Sequence, residues 1–129
     1  MEGYHSNVME QARTNDDFRR VVATTEHTQL VVMTLPPGEQ IGSEVHTGTD
    51  QILIGTDGNG MSVLEGVERP FGRGDAVVVP QGVRHNVVNT GSEPLRLVTV
   101  YGPPDHRPGT VHHTRAESER DEADVPPGG

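Results

Sequence analysis

The apolar residues of this chain come in short, valine-rich runs closed off by glycine and proline, and that punctuation constrains its fold more than any other feature. Leu30-Val31-Val32-Met33 runs into Pro36-Pro37-Gly38, and Ala76-Val77-Val78-Val79 stops at Pro80. A β-branched side chain fits a pleated surface, whereas glycine and proline set the turns. Val occurs eighteen times, against six Leu and three Ile, so the preference holds along the chain. From Thr28 the runs predict strands near 28–35, 41–46, 51–56, 61–65, 67–71, 75–79, 84–89 and 94–101. Short strands at this spacing predict an all-β sandwich or barrel. Asp57-Gly58-Asn59-Gly60, Glu65-Gly66 and Asn89-Thr90-Gly91 supply the turns.

A length of 129 residues suits one domain and one core. Three segments are expected. Residues 1–27 read as a polar N-terminal arm with a short helix around Ser6 to Asp17, docked through Phe18, Val21 and Val22. Residues 28–114 are the β-barrel domain. Residues 115–129 hold five acids and two Arg with almost nothing to bury, which predicts a disordered acidic tail. A helix over Arg115 to Ala123, if isolated, is marginal in water.

Composition removes whole classes of chemistry. With no Cys there is no disulfide, thiolate nucleophile or Cys-ligated metal, and with no Lys there is no Schiff base. All ten basic residues are Arg, against 19 acids, for a formal charge of −9. A chain this acidic, without a basic stripe, predicts no nucleic-acid or membrane partner. The absence of a signal-like start or a long apolar run points to a cytoplasmic protein. Arg19 and Arg20 read as an exposed strand or a partner contact.

Seven His in a Cys-free chain focus attention on imidazole chemistry. From Gly74 the order is five residues, Pro80, one residue, Gly82, two residues, His85, three residues, Asn89. Gly74-Asp75 turns into an apolar strand and Pro80-Gln81-Gly82 reverses the chain. His85, Val87 and Asn89 then share one face, because strand side chains alternate. Upstream, Glu44 and His46 are two apart and point to one side, and Gln51 opens the strand after the Thr47-Gly48-Thr49 turn.

The 74–89 segment resembles the second motif of the cupin superfamily. The family's first motif runs Gly, five residues, His-any-His, three or four residues, Glu, six residues, Gly. Here Gly38 is followed by five residues, Glu44-Val45-His46, four residues, Gln51, six residues and Gly58. The spacing is kept and two ligand positions have changed identity. Residues 15–114 are also similar to small bacterial cupins through FRRVVATTEHTQLVVMTLPPGEQIGSEVHTGTDQ, RHNVVNTGSEPLRL and YGPPDHRPGTVHHT. The resemblance implies a jelly-roll, double-stranded β-helix barrel whose mouth holds a divalent metal on Glu44, His46, Gln51 and His85. Oxygen and imidazole donors suit Fe, Mn, Ni or Zn, and without Gln51 the set is two His and one carboxylate.

Two functions follow from different classes. The first is a metalloenzyme acting on a small oxygenated molecule, sugar-like or carbonyl, by isomerisation, lysis or oxygenation. The second is a non-catalytic ligand-binding barrel in which the changes at Glu44 and Gln51 reflect loss of the metal. Tyr101 and His112 are the candidate catalytic residues, Tyr101 as a cavity-lining hydroxyl or a core ring. His106, His112 and His113 lie after the last strand, in a polar loop or in a lid over the pocket. A homodimer is expected, because runs such as Val77-Val78-Val79 are apolar on both parities.

Overall fold

A computed structural model describes residues 2–124 of the chain. The described elements are α1 (Val8–Arg13), β1 (Arg19–Thr24), β2 (Gln29–Leu35), β3 (Asp50–Asp57), β4 (Asn59–Leu64), β5 (Val67–Gly72), β6 (Ala76–Val79), β7 (His85–Val88), β8 (Leu95–Gly102), β9 (Val111–His112) and α2 (Arg115–Asp124). A six-stranded sheet has the order β6-β3-β8-β2-β1-β9, and a three-stranded sheet the order β5-β4-β7. All pairings are antiparallel. This is the expected all-β jelly-roll barrel.

Alternation fills the interior. Met33 and Leu35 from β2, Leu53 from β3, Phe71 from β5, Val87 from β7 and Leu97 from β8 meet in one buried cluster. Strand β2 is buried on its other face as well, where Val32 joins Val98 and Ala12 of α1 in a second cluster. That explains the unbroken apolar run at 30–33: helix α1, capped by Asn7 whose side chain accepts the Glu10 amide at 3.1 Å, covers what would otherwise be a wet face. In the β3–β6 pair the outer face is open, with Ile52, Ile54 and Val78 exposed while Val79 turns inward. Where β3 passes the second sheet, Gly55 is required: a Cβ there would run into the Gly72 carbonyl.

Three expectations need correction. The N-terminal arm ends earlier than residue 27, because β1 pairs with both β2 and β9 and is part of the large sheet. Arg19 is accordingly not on an exposed strand but 1% exposed, with its guanidinium facing Ser118 Oγ and His112 Nδ1. Residues 41–46 form no regular strand. They pair with β7 only through single bridges, Gln40 with Val88 and Glu44 with His85, because Gly42 between them has φ +111° and gives its amide to the Asn86 side chain (2.9 Å).

The start of the acidic tail is ordered against the barrel. Residues 115–124 are helical, and residues 125–129 lie outside the described residues. The helix starts on a reciprocal cap: Thr114 Oγ1 accepts the Glu117 amide (3.1 Å), while the Glu117 carboxylate accepts the amides of Thr114 (3.2 Å) and His113 (2.7 Å). Docking supplies the rest, since Ser118 is buried against Arg19 and Asp121 reaches His112 and Arg107. Among the described residues no helix is long and apolar enough to cross a membrane.

Candidate metal centre

Two backbone devices assemble this centre. The bridge between Glu44 and His85 places their side chains as direct neighbours across the antiparallel pair, with Glu44 N–H to His85 O at 2.9 Å and His85 N–H to Glu44 O at 3.0 Å. The His46 carbonyl accepts the Gly82 amide, which ties the Pro80-Gln81-Gly82 turn to the same segment. Glu44, His46 and His85 each then present one donor atom within 4.8 Å of the others.

The atoms facing one another are those a cation needs. His85 Nδ1 lies 3.0 Å from the Val83 carbonyl, which fixes its proton there and leaves Nε2 as a lone-pair donor, buried and without a hydrogen-bond partner. His46 Nε2 is buried too, 3.2 Å from Glu44 Oε2 but outside hydrogen-bond alignment. Metal–ligand bonds of about 2.0–2.2 Å at right-angled to tetrahedral geometry separate neighbouring donors by about 3.0–3.5 Å. The Glu44–His46 pair already lies in that range and all three donors lie within 4.8 Å of one another, so the residues present suit a divalent cation.

Charge is arranged to match. Burial pushes the Glu44 carboxyl up, but the adjacent His46 ring and then the Arg19 guanidinium outweigh it and hold Glu44 below its ordinary value. Burial pushes His46 down, and Glu44 with Asp105 outweighs it, so His46 is raised. For His85 burial prevails, and the ring is held below its ordinary value. His85 thus leaves an open lone pair, and His46 is the ring that holds a proton more readily.

Gln51 opens β3 opposite Tyr101 and is 2% exposed. Its Nε2 donates to Thr99 Oγ1 (2.9 Å), and its Oε1 is buried with no hydrogen-bond partner. Tyr101, its cross-strand neighbour, is 1% exposed and stands edge-on to His46, with ring centroids 5.9 Å apart. Burial pushes its phenol well above the ordinary range. Tyr101 is therefore both a core ring and a wall of the centre.

The loop after β8 divides the remaining histidines. His106 is drawn in edge-on to Tyr101 at 5.1 Å, and burial pushes it down to about 3, a neutral ring. His112 is not there: its Nε2 meets Asp121 Oδ2 at 2.8 Å and its Nδ1 meets Arg19 at 3.4 Å, so both nitrogens brace the β1–β9–α2 junction. That corrects the reading of His112 as catalytic. His113 is exposed and bonds Asp17 (2.7 Å). Sequence reasoning missed Asp105, whose Oδ2 lies 3.6 Å from His46 Nδ1, and Arg19, because neither falls within the two ligand motifs.

Comparison with known proteins accounts for the barrel. The chain is 38% identical over 118 residues to the protein YrkC of Bacillus subtilis, covering 87% of this chain and 63% of that one. It is similar to the crystal structure of BH2720 from Bacillus halodurans, with a TM-score of 0.89, 34% identity, and coverage of 91% and 93% of the two chains. An oxalate-binding protein of Thermotoga maritima is 32% identical over 68 residues, 53% of this chain and 56% of that one. Residues 31–101, which carry both motifs and the three clustered donors, match the Cupin domain, and the chain belongs to the cupin family.

Proposed function

We propose that Glu44, His46 and His85 hold one divalent cation, with Gln51 Oε1 at its edge, and that the chain is a metal-dependent enzyme acting on a small oxygenated molecule. The observation that carries this reading is that His46 Nε2 and His85 Nε2, buried and without hydrogen bonds, cluster with one carboxylate, while Gln51 Oε1 is likewise buried and unpartnered. A polar atom buried without a partner is costly, and a cation satisfies several at once. With Glu44 as the only ionised donor the bound cation keeps a net charge of about +1, which suits an oxygen ligand with negative character.

A cation of this kind supplies Lewis-acid activation of a carbonyl or hydroxyl oxygen. The chain's own residues orient that oxygen and exclude water. Tyr101 and His106 wall the centre, with neutral groups that donate or accept hydrogen bonds without competing for the metal's charge. Iron, manganese, nickel and zinc all suit the donor set.

Metal analysis of the protein purified without oxygen tests the reading. About one divalent metal per chain is expected, and none in His85→Ala. A metal-free protein whose melting temperature no divalent ion moves would replace it with the second reading, a barrel that binds a small ligand without metal, toward which the name of the Thermotoga maritima relative points.

A further inference from the structure

Gln29 grips the loop after β8 from inside the barrel. It is 1% exposed, and its Oε1 accepts the amides of Asp105 (3.2 Å) and His106 (2.9 Å). Its Nε2 donates to the His106 carbonyl (2.7 Å) and to Thr24 Oγ1 (3.0 Å). Both ends of the amide are spent on holding two consecutive residues of a loop that has no strand pairing of its own there. The Asp105 carboxylate is thereby set between two imidazoles, 3.6 Å from His46 Nδ1 and 3.7 Å from His106 Nε2.

The two nitrogens of His46 thus face different carboxylates: Nε2 faces Glu44 in the donor cluster, and Nδ1 faces Asp105. We infer that Asp105, aimed by Gln29, is a positioning residue that keeps the His46 proton on Nδ1 and so turns Nε2 toward the cation as a lone pair. His85 has its Nδ1 proton held by the Val83 carbonyl, a backbone group. At His46 Nδ1 the facing group is instead the Asp105 carboxylate of the β8 loop, 3.6 Å away and just beyond hydrogen-bond length. Metal-bound histidines ordinarily donate their second nitrogen to a carboxylate or carbonyl, and loss of that partner costs about 10- to 100-fold in metal affinity. This inference rests on the proposed cation site, but the orientation of His46 is a property of the metal-free protein as well.

Two measurements on the full chain separate the inference from the reading beneath it. The first is imidazole ¹⁵N chemical shifts of the metal-free protein at a pH where His46 is neutral. The wild type is expected to carry the His46 proton on Nδ1, and Asp105→Ala to move it toward Nε2, where Glu44 accepts it. The second is titration with Co(II) alone, followed by its visible absorption. Asp105→Ala and Gln29→Leu are expected to weaken binding by about 10- to 100-fold and by a smaller factor, respectively. Asp105→Glu, which keeps the carboxylate, should restore most of it. If Co(II) fails to bind the wild type while the ¹⁵N shifts change as expected, the cation site falls and the positioning role stands. An unchanged His46 tautomer in Asp105→Ala and Asp105→Asn, with Co(II) affinity within twofold of wild type, overturns the inference and leaves the site intact.

Discussion

Glu44 and His85 exchange both backbone hydrogen bonds across a single isolated bridge, so two donors from distant parts of the chain are fixed to each other by main chain. Replacing either side chain leaves that bridge in place. Glu44→Ala and His85→Ala are therefore expected to stay folded and to lose metal binding, measured by metal content and circular dichroism together. A Glu44→Ala protein that retains full metal occupancy excludes the carboxylate as a ligand.

Gln51 should behave differently from those two. Its Oε1 is a neutral donor, weaker than a carboxylate, and its Nε2 is held by Thr99. Gln51→Ala should weaken metal binding by about one to two orders of magnitude if Oε1 ligates or supports a ligand. Gln51→Glu should tighten it, because a second carboxylate cancels the remaining positive charge. Competition with a chromophoric chelator reads both, and equal affinities in all three proteins would remove Gln51 from the site.

The pH dependence of the metal-free protein follows from the shifted groups. Glu44 is held below 4.5, so its contribution to stability is present above that value and is lost as pH falls through the lowered folded value. His46 is raised above 6.5, so its contribution is present below 6.5 and is lost as pH rises through the raised folded value. For this pair, stability is greatest between 4.5 and 6.5. Cation affinity runs the other way on the alkaline side, rising up to about tenfold per pH unit while His46 still carries the proton it must release. Melting curves from pH 4 to 9, with and without Zn(II), check both limbs. His46→Gln should flatten the alkaline limb without metal.

Removing residues 115–129 should destabilise the domain. The deletion strips Ser118 from the buried Arg19 guanidinium and Asp121 from His112, leaving buried polar groups to find new partners. A fall in melting temperature of more than about 4 °C, roughly 1 kcal/mol for a domain this size, is expected by calorimetry. A smaller change would mean that water replaces the helix at no cost.

Gly55→Ala should cost about 1–3 kcal/mol in urea denaturation, because the new Cβ meets the Gly72 carbonyl, which the second sheet holds in place. Gly48→Ala is the control: a Cβ there meets nothing, and a change within about 0.5 kcal/mol is expected.

The barrel was legible in the sequence because each strand carries its own alternation and its own turn residues. Glu44, His46 and His85 were legible because their spacing survives in two short segments. What escaped depends on contacts across many residues. The Gly42 kink replaces the strand expected at 41–46, and its stabilising partner, Asn86, is 44 residues away. Helix α2 looked like a solvated acidic run because its burial is concentrated in Ser118, a residue that announces nothing until Arg19 is placed beside it. The capping pattern Thr114-Arg115-Ala116-Glu117 was the one local sign of that helix.

The junction of β1, β9 and α2 also bears on the order of folding. Arg19 meets His112 and Ser118 across 93 and 99 residues of sequence, whereas β4 and β5 join through the Glu65-Gly66 turn. Closing a long loop costs more chain entropy than closing a short one, and non-local pairing is slow. The β4–β5 hairpin is thus placed to form early and the terminal junction late. Substitutions at Ser118 or His112 should then speed unfolding while leaving the refolding rate nearly unchanged.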